Sequence, residues 1–514
     1  MSRASRPSAT IRPVEALAYE VTMATLTERA RYFSAHQARG RHRRRRPSAS
    51  GWLREFTSES LIRNSAFLAV NIVLTAVGGF AAVSLLTHLY TEQAVGLSAT
   101  ALSAGTLIAA ITQFGVNFAL PRFLPTSAHR RDLINTALTV TIIATLVGTS
   151  IFLALPVATK FFVLGGGLFA VLFVVGTSLD AGETQLEAVF IADRSADKIT
   201  IANIATNVVK LAAPAAFLFL GGCGAYASRI VVGTVTFIVL AIILGKRGHK
   251  FRATISLRAT RDLRQFSAGA YIGGLLGSLP LMVLPIIILS RFGPSQSAYW
   301  YTAMSIAALL YQMPGVVSRV LLAEVAQRTS ERRYLVYRAA RLMGAIMLPA
   351  FVVAYITAPL VLVLFGKQYA VESLGPLRWL ILAGLPSVIN SVSGTILYLA
   401  KKTFVIAAIN GTGAVMVPLM AATWAHNLSG VALCWLIGEI PTTALFTLFA
   451  VHSLRQVRYR WEDLGGGELR SSPWNARRGF TPDSQQEGLE MLFRLATHQV
   501  TRPRGPGAST LHDR

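Results

Sequence analysis

Long apolar runs recur through this chain and limit the folds that it can adopt. Stretches of roughly 20 or more mainly apolar residues follow one another from Ser65 to Val451, with only short polar breaks between them. A helix of that length, at about 1.5 Å per residue, crosses the hydrocarbon core of a bilayer. Only 14% of the residues are charged, which also lies outside the range of soluble domains. The sequence therefore predicts an all-α integral membrane protein.

About twelve membrane spans can be placed between the charged breaks. They lie near residues 65–88, 96–119, 133–157, 161–191, 199–221, 225–245, 266–290, 297–322, 340–365, 376–399, 403–424 and 430–452. A long basic loop divides them into two tandem six-helix lobes, and a central cavity is expected between the lobes. The predicted organisation is a basic, mostly disordered cytoplasmic arm (1–60), a first lobe (61–245), a basic cytoplasmic linker loop (246–264), a second lobe (265–452) and a polar cytoplasmic tail (453–514).

The distribution of Lys and Arg among the loops predicts the orientation of the chain. Loops and margins after even-numbered spans carry 19 of these residues, whereas those after odd-numbered spans carry five. Cytoplasmic loops are enriched in Lys and Arg, and one missed span would invert every later loop. The bias predicts a multi-pass protein with both termini in the cytoplasm.

The two predicted lobes are weakly similar to each other at a shift of about 204 residues. Lys198 opens span 5 and Lys402 opens span 11, while Gly224 and Gly430 open spans 6 and 12. An even number of spans per repeat makes the repeats parallel. The lobes are therefore expected to be related by an axis along the membrane normal.

The net charge of +25 is concentrated in the polar tails and in alternate loops. This distribution favours contact with membrane lipids, and no nucleic-acid partner is expected. For the arginine-rich run at 39–46, specific binding of nucleic acid or lipid remains an alternative to a role as topology determinant. In the C-terminal tail, an apolar helical face is open to two interpretations, an anchor or an incidental helix: Leu489, Leu492, Phe493, Ala496 and Val500.

Motifs for enzyme chemistry are missing from the sequence. Cys223 and Cys434 indicate neither a disulfide framework nor a metal site. There is no phosphate-binding Gly-x-x-x-x-Gly-Lys-Ser/Thr loop, no zincin helix and no nucleophile elbow. We expect no enzyme activity and no cofactor, so any energy input would come from an ion gradient or from the substrate gradient.

The order of short motifs along the spans is similar to that of a known family. In chain order they are Leu85-Leu86-Thr87, Tyr90, Phe114-Gly115-Val116-Asn117, Leu120-Pro121-Arg122, the run from Val361 to Tyr369, and Leu377-Arg378-Trp379-Leu380. Over residues 65–452 the chain resembles the polysaccharide flippases of the multidrug, oligosaccharidyl-lipid and polysaccharide exporter superfamily. The resemblance implies a transporter that flips polyprenyl-diphosphate-linked oligosaccharide across a bacterial plasma (inner) membrane by alternating access, for cell-surface polysaccharide biosynthesis. Polysaccharide polymerase and glycosyltransferases are the implied partners.

Polar side chains inside the spans are the candidate functional residues, because each ionised group costs roughly 2.5–3.5 kcal/mol to insert. Three residues share one face of span 4 and three share one face of span 5 in mirrored order: Asp180, Glu183, Glu187, Asn203, Asn207 and Lys210. The two stripes are predicted to meet at matching depths, with Asp180 opposite Lys210. Two roles remain open, namely adhesion between the helices, and lining or proton coupling of a transport path.

Further candidates lie in other spans. Glu439 is deep in span 12 beside Pro441, and both a coupling or gating role and a structural role remain open for it. A diphosphate favours cationic partners, and by depth these are Lys210, Arg229 and Arg319. Because Arg229 and Arg319 lie near span ends, snorkelling to the interface is the alternative.

Three functions follow from these observations. The first is the flippase, and the second is an ion-coupled drug or metabolite antiporter of the same superfamily. The antiporter is expected to have carboxylates in the cavity-lining spans of the first lobe, and spans 1 to 3 have none. The third is a non-transporting membrane scaffold whose tails recruit polymer-assembly enzymes.

Overall fold

The computed structural model describes residues 77–127, 129–256, 268–327 and 332–461. Within these residues the chain is almost entirely helical. The long helices are α1 (Val77–Leu89), α2 (Glu92–Thr112), α3 (Arg130–Leu153), α4 (Gly166–Ala192), α5 (Ala196–Ala216), α6 (Gly222–Lys246), α7 (Ala268–Phe292), α8 (Pro294–Gln327), α9 (Arg332–Val363), α10 (Leu374–Leu399), α11 (Thr403–Thr423) and α12 (Leu428–Trp461). Short helices lie at Val116–Phe123 and Lys367–Glu372.

Each long helix corresponds to one predicted span. In the described part of the chain, 10 helices are long and apolar enough to cross a membrane. The exceptions are α1, of which Val77–Leu89 is described, and α8, which carries many Ser, Gln and Tyr residues. Large apolar side chains point outward, and Val208 and Leu360 are 67% and 72% exposed. Such a surface fits lipid contact, and the predicted all-α membrane fold is confirmed.

Several predicted boundaries need correction. Helix α9 begins at Arg332, before the predicted residue 340, and α12 continues to Trp461, so that the predicted tail starts inside a helix. The predicted arm (1–60) and the remainder of the tail (462–514), with its candidate apolar face, lie outside the described residues.

Predicted span 2 is interrupted at the motif that contains Gly115. Helix α2 ends at Thr112, Phe114 and Gly115 have φ of 48° and 73°, and a short helix then begins at Val116. The left-handed region is readily available to glycine. In addition, a Cβ at Gly115 would lie 2.8 Å from the Cβ of Tyr271 in α7. The break thus requires glycine both for its backbone and for close approach of α7.

Helix α4 begins after a 3-10 helix at Pro156–Leu164 and contains a π turn at Leu172–Gly176. The turn packs tightly on α6, because a Cβ at Gly176 would lie 2.0 Å from the Ile230 side chain. Regular α-helix resumes at Thr177 and includes all three acidic candidates. Their predicted spacing on one helical face therefore applies.

The start of the basic linker loop docks on the N-terminal end of α3. His249 and Asn135 are joined by a hydrogen bond of 2.9 Å between Nε2 and Oδ1. Asn135 Nδ2 donates to the carbonyl of Lys250 at 3.1 Å, and the Ser256 amide donates to Thr136 Oγ1 at 3.0 Å. These bonds position residues 249–256 of the linker.

The buried apolar residues form one core that both predicted lobes share and separate cores within each lobe. The shared core includes Val95, Tyr226, Trp300 and Leu380, which lie towards the loops after odd-numbered helices. At the opposite helix ends, the first lobe has its own cluster around residues 116–138, 186–202 and 240–244, and the second lobe has one that includes Phe446. The lobes therefore pack together mainly at one side.

Helices α2 and α8 form the closest part of this shared side. A Cβ at Gly96 would lie 1.8 Å from the Pro294 carbonyl oxygen. Beside this crossing, the Tyr299 hydroxyl donates to Glu92 Oε2. On the opposite side the lobes still touch through α2 and α7, where the Tyr271 hydroxyl donates to the Ile111 carbonyl at 2.9 Å.

Candidate functional site

A cavity of about 570 Å³ lies inside the first lobe, bounded by α2, α4, α5 and α6, with Met282 of α7 at its wall. Its volume is within the range of small-molecule sites. The cavity wall carries charged and polar side chains from three of these helices: Asp180, Glu183, Glu187, Asn203, Lys210 and Arg229. We call this the polar cavity.

The three carboxylates reach the polar cavity together, as expected from their spacing on α4. At about 1.5 Å per residue, Glu187 lies roughly 10 Å beyond Asp180 along the helix axis. Within the described residues, no group of three or more His, Cys, Asp and Glu side chains is arranged to hold a metal ion. The acidic wall is therefore a set of separate hydrogen-bonding groups.

Helix α5 contributes Asn203 and Lys210 to the polar cavity, but Asn207 points elsewhere. A Cβ at Gly78 of α1 would lie 2.4 Å from Asn207 Oδ1, so Asn207 packs on α1. The reason is that α5 packs mainly along α6 and touches α4 over few residues. The predicted mirror register of α4 and α5 is therefore only partly present.

Asp180 lies against α6 and not opposite Lys210. A Cβ at Gly233 would lie 1.8 Å from Asp180 Oδ1, and this buried oxygen has no hydrogen-bond partner. The ion pairs of the described residues include neither Asp180 nor Lys210, so the predicted pair between them is not formed. Lys210 is instead within electrostatic range of Glu183 and Glu187.

Arg229 lies at the edge of the polar cavity, about 10 Å from the start of α6 at about 1.5 Å per residue. Its guanidinium carbon is 4.1 Å from the centroid of the Tyr301 ring in α8. Arg229 Nε and Nη2 are buried and have no hydrogen-bond partner. Arg229 thus points into the protein and does not snorkel to the interface.

Lys210 and Arg229 also line a second, smaller space of about 170 Å³. Its remaining wall is mostly apolar and comes from α1, α5, α6 and α8: Gly79, Ala82, Val83, Leu86, Pro214, Ser228, Val232 and Tyr301. We call this the apolar crevice. The two cations therefore lie at the boundary between a polar cavity and an apolar crevice.

The remaining candidates are Arg319 and Glu439. Arg319 belongs to α8, and its side chain lies outside the described residues. Glu439 lies in the second lobe and accepts a hydrogen bond of 2.8 Å from Asn390 Nδ2 of α10. This partner is on α10, which packs closely along α12.

Two residues of the site were missed in the sequence. Tyr301 meets Arg229 across the two lobes, and no pattern within one helix predicts such a contact. Gly233 allows the close approach of Asp180, and the small residue on α6 was the available signal. Diphosphate recognition favours cationic partners, and the wall of the polar cavity carries three carboxylates beside its two cations.

A bundle of apolar helices around a charged cavity is the architecture of multi-pass membrane proteins, a class that includes transporters. Solved structures share this fold. An inward-facing multidrug resistance MATE family transporter of the MOP superfamily matches with a TM-score of 0.61 and 16% identity, over 75% of this chain and 96% of that chain. An outward-facing MATE family transporter matches at 0.56 and 15% identity, over 78% and 96%. A MOP superfamily transporter from Pyrococcus furiosus, described as having a binding pocket of reverse polarity, matches at 0.54 and 16% identity, over 78% and 96%.

The family assignment comes from the sequence match. The model of the family described as "Polysaccharide biosynthesis protein" matches residues 61–322 of the 514, just over half of the chain. The chain belongs to this family. No curated protein sequence matches it.

Proposed function

We propose that this protein flips a polyprenyl-diphosphate-linked oligosaccharide across the plasma membrane. The observation that carries the proposal is the placement of Lys210 and Arg229 at the boundary between the polar cavity and the apolar crevice. A lipid-linked oligosaccharide has the same three parts in the same order: a polar glycan, an anionic diphosphate and an apolar chain. The family match agrees with a role in polysaccharide biosynthesis.

The diphosphate would bind at the two cations. Arg229 Nε and Nη2 lack partners in the protein, and buried donors of this kind favour an anionic acceptor. The Tyr301 ring fixes one face of the guanidinium while leaving its edge free to bind oxygen atoms. Lys210 adds a second positive charge with flexible reach.

The polyprenyl chain would leave the site through the apolar crevice. Gly79, Ala82, Val83 and Pro214 give this crevice small and apolar walls next to the cations. An isoprenoid chain can lie along such a surface without burying polar groups. The glycan would then occupy the polar cavity.

Transport requires the cavity to be reached from each side of the membrane in turn. The lobes share one core on the side that the loop charges predict to be external, and they have separate cores on the other side. With both termini in the cytoplasm, this arrangement corresponds to a state that opens inward. Separation of α2 from α8 would be the step that opens the outer side.

The test is transport of lipid-linked oligosaccharide in cells depleted of the chromosomal protein. Lys210→Met and Arg229→Gln should each reduce glycan export at least tenfold, with accumulation of lipid-linked oligosaccharide in the inner leaflet. Arg378→Gln is the matched control, because this arginine also has a buried unpartnered Nε and lies 5.2 Å from the Tyr355 ring centroid. Equal glycan export by all three variants would show that Lys210 and Arg229 are not needed for transport.

A second candidate is an ion-coupled antiporter, which one observation favours. Spans 1 to 3 have no carboxylate, but α4 also lines the polar cavity and brings three. The sequence argument against the antiporter therefore fails. An antiporter should confer resistance to cationic drugs that is lost in Glu183→Gln, while lipid-linked oligosaccharide stays evenly distributed after depletion. For the scaffold alternative, deletion of both tails should abolish polysaccharide assembly, whereas a flippase should keep most of its activity.

A further inference from the structure

The charges of the polar cavity separate into a cationic part and an acidic part. Lys210 and Arg229 are at the boundary with the apolar crevice. Glu183 and Glu187 follow Asp180 towards the end of α4 at Ala192, and Asn203 lies near the start of α5. A ligand anchored by its diphosphate at the cations would therefore extend into an environment of carboxylates and amides.

These carboxylates have spare hydrogen-bonding capacity. Asp180 Oδ1 is buried and has no partner, and no carboxylate of the polar cavity forms an ion pair in the described part of the chain. A buried acceptor without a donor is rare, because its desolvation is not offset. Glu183 and Glu187, which line the cavity without an ion pair, would accept hydrogen bonds from a ligand that presents hydroxyl or amino hydrogens.

We propose that the glycan accepted by this cavity is neutral or carries an amino group, and that acidic sugars are rejected. The proposal rests on the proposed function, since the diphosphate must occupy the two cations. Once it does, the nearest acidic groups to the first sugars are the three carboxyl groups of α4. Neutral hydroxyls donate to carboxylates, whereas a uronate carboxylate has no hydrogen to donate and would add negative charge to an acidic wall in a site of low dielectric constant.

The charged and polar groups around the carboxylates do not remove this preference for a neutral or amino-bearing glycan. Lys210 faces Glu183 and Glu187 and is the single cation on α5 within their range, but it also contacts the apolar crevice where the diphosphate is placed. The other polar residues of the cavity wall are uncharged: Thr106, Gln113, Thr177, Thr184, Asn203, Thr206 and Thr236. A uronate on the first sugar would therefore meet carboxylates whose neighbouring cation, Lys210, is engaged by the diphosphate.

The test is binding to the purified full chain in nanodiscs. The probes are farnesyl diphosphate and its conjugates with glucose and with glucuronate, which differ in one carboxylate. We expect the glucose conjugate to bind at least tenfold more tightly than the glucuronate conjugate. In Glu183→Gln/Glu187→Gln the ratio should fall below threefold, while farnesyl diphosphate itself should bind at least as tightly as to the wild type, because two acidic groups near Lys210 are removed. Glu372→Gln, a half-buried carboxylate outside the cavity, is the control and should keep the preference.

Each of the remaining outcomes would contradict the selectivity proposal, the role of Glu183 and Glu187, or the proposed function. Equal or tighter binding of the glucuronate conjugate would overturn the selectivity proposal and leave the flippase proposal in place. A preference that persists in the double variant would remove Glu183 and Glu187 as its cause. If farnesyl diphosphate and both conjugates fail to bind, the proposed function itself is wrong.

Discussion

Arg229 of α6 and Tyr301 of α8 form a cation–π contact that joins the two lobes, with 4.1 Å between the guanidinium carbon and the ring centroid. The contact lies at the edge of both the polar cavity and the apolar crevice. It therefore links the position of the proposed diphosphate-binding group to the relative position of the lobes. A diphosphate bound at Arg229, as proposed, would therefore be coupled to a helix of the other lobe.

Tyr301→Leu should weaken binding of farnesyl diphosphate, because the guanidinium loses the ring that holds its plane. Cation–π contacts contribute about 0.5–2 kcal/mol, which corresponds to roughly two- to thirtyfold in affinity. Tyr301→Phe keeps the ring and should bind within about twofold of the wild type. Titration in nanodiscs measures both, and equal loss in the two variants would indicate that the hydroxyl and not the ring is needed.

Double-variant cycles test whether Lys210 is coupled to Asp180, as the sequence predicted, or to Glu183, as the structure indicates. Because Asp180 packs on Gly233, the transport defects of Asp180→Asn and Lys210→Met should be additive within about 0.5 kcal/mol. Glu183→Gln with Lys210→Met should instead show a coupling energy above about 0.5 kcal/mol, since these groups face each other. Recovery of transport in the Asp180/Lys210 double variant would show that the side chains do pair.

Gly96→Ala should destabilise the protein, because the added Cβ would lie 1.8 Å from the Pro294 carbonyl oxygen and force α2 away from α8. Overpacking of this kind costs about 1–3 kcal/mol. Thermal unfolding in detergent should show a lower Tm. The control is Gly344→Ala in α9, where the added Cβ meets nothing within 4 Å and helix propensity alone predicts an unchanged or higher Tm.

Docking of the linker should weaken at acidic pH. Burial, with Arg131 and Arg130 nearby, lowers the pKa of His249 below its ordinary value of 6.5. The unfolded or undocked linker therefore binds a proton more readily, and docking is lost progressively as the pH falls from about 6.5 through the lowered pKa. Trypsin should cut the linker faster at pH 5.5 than at pH 7.5.

His249→Gln provides the control for this pH dependence. An amide can still donate to Asn135 Oδ1 but does not titrate, so cleavage in this variant should be equally fast at both pH values after correction for trypsin activity. The same acceleration in His249→Gln would assign the effect to another group.

The sequence predicted the fold well because its signal is local. The length of an apolar run and the charge of a loop can each be read from a single span and its flanks. The predicted helix positions agree with the structure within a few residues for most spans. The break at Gly115 was missed because apolar residues continue through it. The positive φ of Gly115 and the approach of Tyr271 from α7 explain why glycine is needed there.

The sequence predicted which residues belong to the site but not which of them face each other. The shared face of Asp180, Glu183 and Glu187 follows from helical periodicity alone. Which helix lies opposite that face is a tertiary property, and α5 turned out to pack along α6. Mirror symmetry in a helical hairpin assumes that consecutive helices pack closely, and α4 and α5 do so over few residues.

The π turn at Leu172–Gly176 has a consequence for how this site could have arisen. A π turn holds one residue more than the α-helical turn that it replaces, so it accommodates an inserted residue while the residues that follow keep nearly the same angular position. In a regular α-helix without this turn, the same sequence would place the three carboxylates of α4 about 100° away, towards a different neighbour. The π turn therefore allows this helix to carry an inserted residue without displacing the acidic wall of the cavity.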